Sequence, residues 1–161
     1  VVILVNLGWC FRQKNGISLI DPNNNLSSEY MQSSEETLES LKDGKEKSRM
    51  WLATKKYYCE YLASYALLMR LGIKCEIHEC TIAVCRFLEQ EKLMPTGYSE
   101  MLDDDKKLRI DNQYYLRNRE VNISYPRLLE YVLTIKNIIQ KINEKQINEI
   151  RRKIKTSAKI K

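Results

Sequence analysis

The stretch from about Glu46 to Leu71, "EKSRMWLATKKYYCEYLASYALLMRL", limits the possible folds more than any other part of the chain. It contains neither glycine nor proline and is followed at once by Gly72. That pattern predicts one long helix with its stop signal in place, because glycine accepts the left-handed conformation that ends helices. Tyr57, Tyr61 and Tyr65 recur at every fourth residue and must form a row along one side. Trp51, Leu52, Tyr58, Leu62, Ala66 and Met69 make most of the remaining surface apolar. A helix apolar nearly all round has to be enclosed by other helices. The tyrosine row could stack nucleic-acid bases, but core packing with the hydroxyls at the rim accounts for it more simply.

The rest of the chain agrees with a helical enclosure. Its 161 residues suffice for one domain with a core, and Gly 5 and Pro 3 are too few turn-formers for a many-stranded sheet. Residues 1 to 14 read as a short helix ending near Gly16, and "IDPNNN" (20 to 25) as a turn. Ser27 or Ser28 is expected to cap a helix running to about Gly44, with Leu26, Tyr30, Thr37, Leu38 and Leu41 on its apolar side. "KCEIHECTIAVCRFL" opens the next helix, which "MPTG" (94 to 97) ends. Asp103, Asp104 and Asp105 suit a helix N-terminus, and "LRIDNQYYLRNRE" (108 to 120) reads as the body of that helix. Ser124 and Pro126 start a last long helix, predicted to run past 145, whose Leu128, Val132, Ile135, Ile139 and Ile142 form a buried seam. No strand is expected. The predicted architecture is all-α: an antiparallel bundle of about five core helices with a short extra N-terminal helix. It divides into residues 1–25 (helix and turn), 26–150 (helical domain) and 151–161 (basic tail).

The net charge of +6 is concentrated at one end. From Lys136 to Lys161 nine basic residues face only Glu144 and Glu149, so the body is close to neutral. Residues after about Lys145 are expected to add little stability, and at most to attract an acidic partner or nucleic acid. "VVILVNLGW" is apolar but short, with no small-residue cleavage site after it, and no apolar run approaches the ~18 residues of a membrane span. With five cysteines and no CxxC pair, a cytoplasmic protein with reduced thiols is expected.

Metal and nucleophile chemistry find little support. Cys75, Cys80 and Cys85 are five residues apart, so on one regular helix each step turns about 500° and the three cannot converge. His78 has no motif neighbours that would make it a zinc ligand or the base of a cysteine nucleophile. There is no phosphate-cradling glycine loop. No metal and no cofactor are expected. The basic, tyrosine-bearing run at 108 to 120 is the best candidate for contacts to phosphate and base.

Three stretches together resemble the HEPN (higher eukaryotes and prokaryotes nucleotide-binding) domains: "YYCEYLASYALLMRLGIKCEIHECTIAVCRFL", "LRIDNQYYLRNREV" and "SYPRLLEYVLTIKNIIQKI". The nearest type is the small archaeal proteins that stand alone or beside a minimal nucleotidyltransferase. The likeness covers roughly residues 26 to 145. It implies a helical bundle that dimerises, and, in the ribonuclease members, an arginine followed after four to six residues by a histidine at the dimer cleft. Arg109 matches that arginine, but Tyr114 stands where a histidine would be, and the single histidine is His78. Histidine exchanges protons near neutrality, whereas tyrosine, with an ordinary pKa of about 10, does not. The resemblance and this departure imply a non-catalytic module. It would be a homodimer that binds a nucleotide or RNA through Arg109, Asp111, Tyr114, Tyr115, Arg117 and Arg119, or that partners a nucleotidyltransferase in a toxin–antitoxin-like pair. The alternative is a metal-independent endoribonuclease that uses Arg109 with Tyr114 or His78.

Overall fold

A computed structural model describes residues 5–159, and among them the fold is all-α, with seven helices and one two-stranded sheet. The long helix is α3 (Arg49–Leu71), third in chain order after α1 (Leu7–Arg12) and α2 (Asn24–Glu39). It starts where the Ser48 side chain accepts a bond from the Trp51 amide and ends at Gly72, whose φ is +73°. Thirteen of its side chains are buried, which makes it the centre of the core, as its all-round apolar surface requires. The tyrosine row stacks: Tyr57 on Tyr61 at 5.5 Å and Tyr61 on Tyr65 at 5.8 Å between ring centroids.

Helix α2 lies along α3, held by small polar side chains as well as by Met31 and Leu38. Ser27 donates to the Ala66 carbonyl at 2.7 Å and Ser34 to that of Cys59 at 2.6 Å. Serines at these positions bring the two backbones close and satisfy their own hydroxyls. Ser27 is therefore inside the interface and caps nothing. Asn23 caps α2, accepting from the Leu26 amide, and the buried stripe runs through Ser27, Met31, Ser34, Leu38 and Leu41, while Leu26 and Tyr30 flank it half-buried.

Helices α4 (His78–Gln90), α5 (Tyr98–Gln113) and α6 (Tyr125–Lys141) complete the enclosure. Helix α5 packs on both α3 and α4, and α6 on α3. Two features differ from the sequence-based expectation. The segments flanking α2 and α3 pair as an antiparallel ribbon, β1 (Ile17–Leu19) with β2 (Ile73–Cys75), in the register Ile17 to Cys75 and Leu19 to Ile73. Two connecting segments laid side by side satisfy their backbone groups in this way. The second difference is at the C-terminal end. Helix α6 stops at Ile142, and Asn143 begins a separate helix, α7 (Glu144–Lys159). The Asn143 side chain accepts from the Gln146 amide while the Gln146 side chain accepts from the Asn143 amide, a reciprocal cap.

Helix α7 is not a solvated tail. Ile147, Ile150 and Ile154 are buried, each worth about 1.5–3 kcal/mol of stabilisation. Arg151 donates from Nη1 to the carbonyls of Ile20 (2.8 Å), Leu71 (2.9 Å) and Gly72 (2.9 Å). Residues 151 to 159 thus belong to the body, and the boundary expected at 151 is absent. Helix α1 packs against α7 and α4, so the N-terminal segment is also part of the same body; residues 1–4 of the expected first helix lie outside the described residues. Cys10 of α1 is bonded to Cys80 of α4, with their Cα atoms 5.7 Å apart, while Cys59, Cys75 and Cys85 are free and buried. The reduced-thiol expectation therefore fails for the one pair that this packing of helices brings together. Among the described residues no helix is long and apolar enough to cross a membrane.

Candidate functional site

Helix α5 starts at Tyr98, five residues before the aspartates expected to open it. Gly97, at φ +95°, supplies the turn, and the Glu89 carboxylate of α4 accepts from the Ser99 amide at 2.6 Å. Asp103 and Asp105 consequently fall within the helix and serve as cross-helix partners, Asp103 to Arg86 at 3.4 Å and Asp105 to Lys56 at 3.1 Å. The buried positions of α5 include Leu102, Asp105, Lys106, Arg109 and Asn112. A helix that turns charged groups inward has to supply each with a partner.

Most are supplied. Lys106 reaches Glu79 at 2.7 Å. Asn112 accepts from the Arg119 amide at 2.7 Å and donates to the Arg119 carbonyl at 2.9 Å, so its side chain imitates a paired backbone. Arg109 is the exception. It is 7% exposed, and among the described residues no carboxylate lies within ion-pair distance of it. Its Nε has no acceptor, and its Nη1 reaches Gln113 only at 3.5 Å, beyond the usual range. Aromatic faces hold it instead: its Cζ lies 4.9 Å from the Tyr57 centroid, 5.5 Å from Tyr58 and 5.7 Å from Tyr114.

His78 meets the same tyrosines from α4. Its Nδ1 is 2.7 Å from the Tyr57 hydroxyl, and its ring stacks on Tyr61 at 4.4 Å and on Tyr57 at 5.8 Å. Burial, and then the charge of Arg109, hold the imidazole below its ordinary pKa, so it is neutral at pH 7. A neutral ring can accept a hydrogen bond from the Tyr57 hydroxyl at Nδ1 and carry its own proton on Nε2. Burial pushes the Tyr57 hydroxyl well above the tyrosine range, so it too stays neutral. The arginine and the chain's single histidine, 31 positions apart in sequence, thus converge on one phenol ring.

The expected six-residue cleft divides into two groups. Arg109 and Tyr114 face one another. Asp111 instead takes Arg117 at 3.0 Å and Arg119 at 2.7 Å, so these two arginines neutralise their own neighbour. Both lie beyond the helix, in a connection that runs from Tyr114 to Ser124. That connection turns through Leu116 and Asn118, at φ +50° and +51°, and is pinned where Arg49 donates to the Asn118 carbonyl at 2.7 Å. Tyr114 and Tyr115 are each 64% exposed, with Arg117 over the Tyr115 ring at 5.1 Å. The adjoining cleft, about 500 Å³, is lined by Lys47, Ser48, Arg49, Asn112 and Asn118, among others, and by none of the six.

Sequence reasoning paired His78 with Arg109 only in the ribonuclease alternative, and it missed Tyr57 and Tyr58 as the aromatic faces that hold Arg109. Their signal was the tyrosine row, which begins at Tyr57; the structure buries Tyr57 completely instead of leaving its hydroxyl at the rim. Among the described residues no group of three or more His, Cys, Asp or Glu is placed to hold a metal ion. No protein-family model, curated protein or solved structure matches the chain.

Proposed function

We propose that the chain is a HEPN-like module that anchors a phosphate of a nucleotide or RNA on Arg109 and binds it without cutting it. One observation carries this reading: a nearly buried guanidinium with no counter-charge among the described residues, roofed by an exposed tyrosine. A buried cation without a partner is unfavourable by several kcal/mol, only part of which three aromatic faces offset, at about 2 kcal/mol when desolvated. An incoming phosphate supplies the missing charge and an acceptor for Nε. Rotation of Tyr114 opens the path, and Tyr114 and Tyr115 then offer stacking faces for the bases that follow. The resemblance described above adds the homodimer and the nucleotidyltransferase partner to the proposal, and with them a cytoplasmic setting. A Cys10–Cys80 disulfide fits that setting in hyperthermophiles, whose intracellular proteins keep such bonds.

A second reading rests on the convergence of Arg109 and His78: a metal-independent endoribonuclease with His78 moving the proton in place of the absent motif histidine. One experiment separates the two. Anisotropy of a fluorescent single-stranded RNA is measured against the wild type, Arg109→Met, Tyr114→Phe and His78→Asn, with intact and cleaved RNA followed on gels. The binding reading expects at least about a tenfold loss in Arg109→Met, from the 1.5–3 kcal/mol of one charge-assisted contact. It also expects little change in Tyr114→Phe and no cleavage by any protein. Cleavage by the wild type that His78→Asn abolishes while binding survives would establish the second reading. Folded Arg109→Met that binds as the wild type does would refute both.

A further inference from the structure

A second cleft, about 470 Å³, opens between α3, α5 and the start of α6, lined in part by Lys56, Asp104, Asp105, Ser124 and Arg127. Behind Asp105 is Glu60, wholly enclosed in the middle of α3, and among the described residues no N–H or O–H group donates to either of its carboxyl oxygens. Its immediate neighbour is the Asp105 carboxyl, 6% exposed and 3.1 Å from the Lys56 ammonium. Two carboxyls can bond to each other only if one of them keeps a proton. Burial, and then the neighbouring Asp105, push the Glu60 carboxyl well above the usual range, so Glu60 holds its proton, while Asp105 faces the Lys56 ammonium.

The opposite side of the cleft has the other polarity. Ser124 stands at the N-cap of α6 with no capping bond from its side chain, at the end where the helix favours an anion. Arg127 is exposed, and among the described residues it has no carboxylate within ion-pair distance. Ile123 and Leu128 supply an apolar wall between the two sides. Convergent polar groups of both signs around an apolar wall, beside a perturbed buried acid, are the features of a ligand site.

We propose that this cleft binds a small zwitterion, its ammonium against Asp104 and Asp105 and its anionic group against Arg127 and the N-terminal end of α6. This site is separate from Arg109 and does not rest on the RNA reading. A proton consequence follows. The ligand ammonium brings a second positive charge beside Asp105, which favours ionisation of Glu60, and its proton passes to the buffer.

The test is calorimetric titration of the full chain with two zwitterions, γ-aminobutyrate and O-phosphoethanolamine, and with their separate halves, butylamine and butyrate. Each is run in two buffers of different ionisation heat. At least one zwitterion is expected to bind about tenfold or more tighter than either half, since each charge-assisted contact contributes about that factor. The tighter zwitterion identifies the anionic group as carboxylate or phosphate. Arg127→Met, at an exposed position, is expected to lose that advantage, and Arg109→Met to keep it. Proton release on binding is expected in the wild type and not in Glu60→Gln. Butylamine binding as tightly as both zwitterions, no saturable binding of either zwitterion, or proton release that persists in Glu60→Gln would each overturn the proposal.

Discussion

Replacing Ile154 by alanine tests whether α7 belongs to the body of the protein. Ile154 is fully buried although strongly basic sequence surrounds it. Removing such a side chain costs about 2–5 kcal/mol, the lost transfer energy plus the cavity left behind. Helix α7 lies at the edge of the core, against α1 and the end of α3, where partial collapse is easier, so a value of about 3 kcal/mol is expected. With an unfolding entropy of about 2.1 cal/mol/K per residue over 161 residues, that corresponds to a fall of about 9 °C in melting temperature. Lys155→Ala, at the next and exposed position, is the control and should shift the midpoint by no more than about 2 °C. The assay is thermal unfolding followed by far-UV circular dichroism, with a chain ended at Asn143 measured alongside. If Ile154→Ala melts with the control, or the shortened chain melts with the wild type, then α7 does not pack as described.

Reduction of the Cys10–Cys80 bond, which closes a loop of 70 residues, should lower stability by about 4 kcal/mol; an unchanged melting temperature with and without reductant would show that the bond does not form. Gly72→Ala should destabilise by well over about 1 kcal/mol, because φ is +73° and the added methyl would collide with the Ile20 carbonyl oxygen; chemical denaturation checks it. Glu60, whose folded pKa is raised, contributes its full stabilisation below its unfolded value of about 4.3, and this is lost as pH rises from there through the folded value. Glu60→Gln should therefore gain stability relative to the wild type as pH goes from 5 to 8, and parallel pH profiles for the two proteins would refute a buried proton.

Helix α3 was readable because every signal in it agreed: no breaker, an apolar circumference and a glycine at its end. The start of α6 was readable for the same reason, in Ser124 and Pro126. Helix α5 was displaced because three aspartates resemble a helix start, and nothing local reveals that Arg86 and Lys56 would claim two of them from other helices. Its end was missed because residues 114 to 120 contain no glycine or proline. The chain leaves the helix there because Asp111 and Asn112 hold Arg117 and Arg119 in place. The break at Asn143 did have a signature, since Asn-x-x-Gln is a capping box, but the isoleucine pattern ran across it and hid it. Arg109 was singled out from its basic run only because the resemblance to another family suggested its position. Its surroundings of stacked tyrosines and a histidine from another helix depend on long-range packing, which periodicity does not encode.

Arg151 joins α7 to the turn at Ile20 across 131 residues and to the end of α3 across about eighty. This joint makes the order of folding unequal along the chain. Helices α2 and α3 are neighbours in sequence and can pair as soon as both exist, whereas the joint must wait for a contact of very long range, the kind that slows folding. During synthesis α7 is the last of these elements to leave the ribosome. A nascent chain arrested before Glu144 should already protect the amides of α3 from exchange, while the Ile20 turn and the strand pair beside Gly72 stay open.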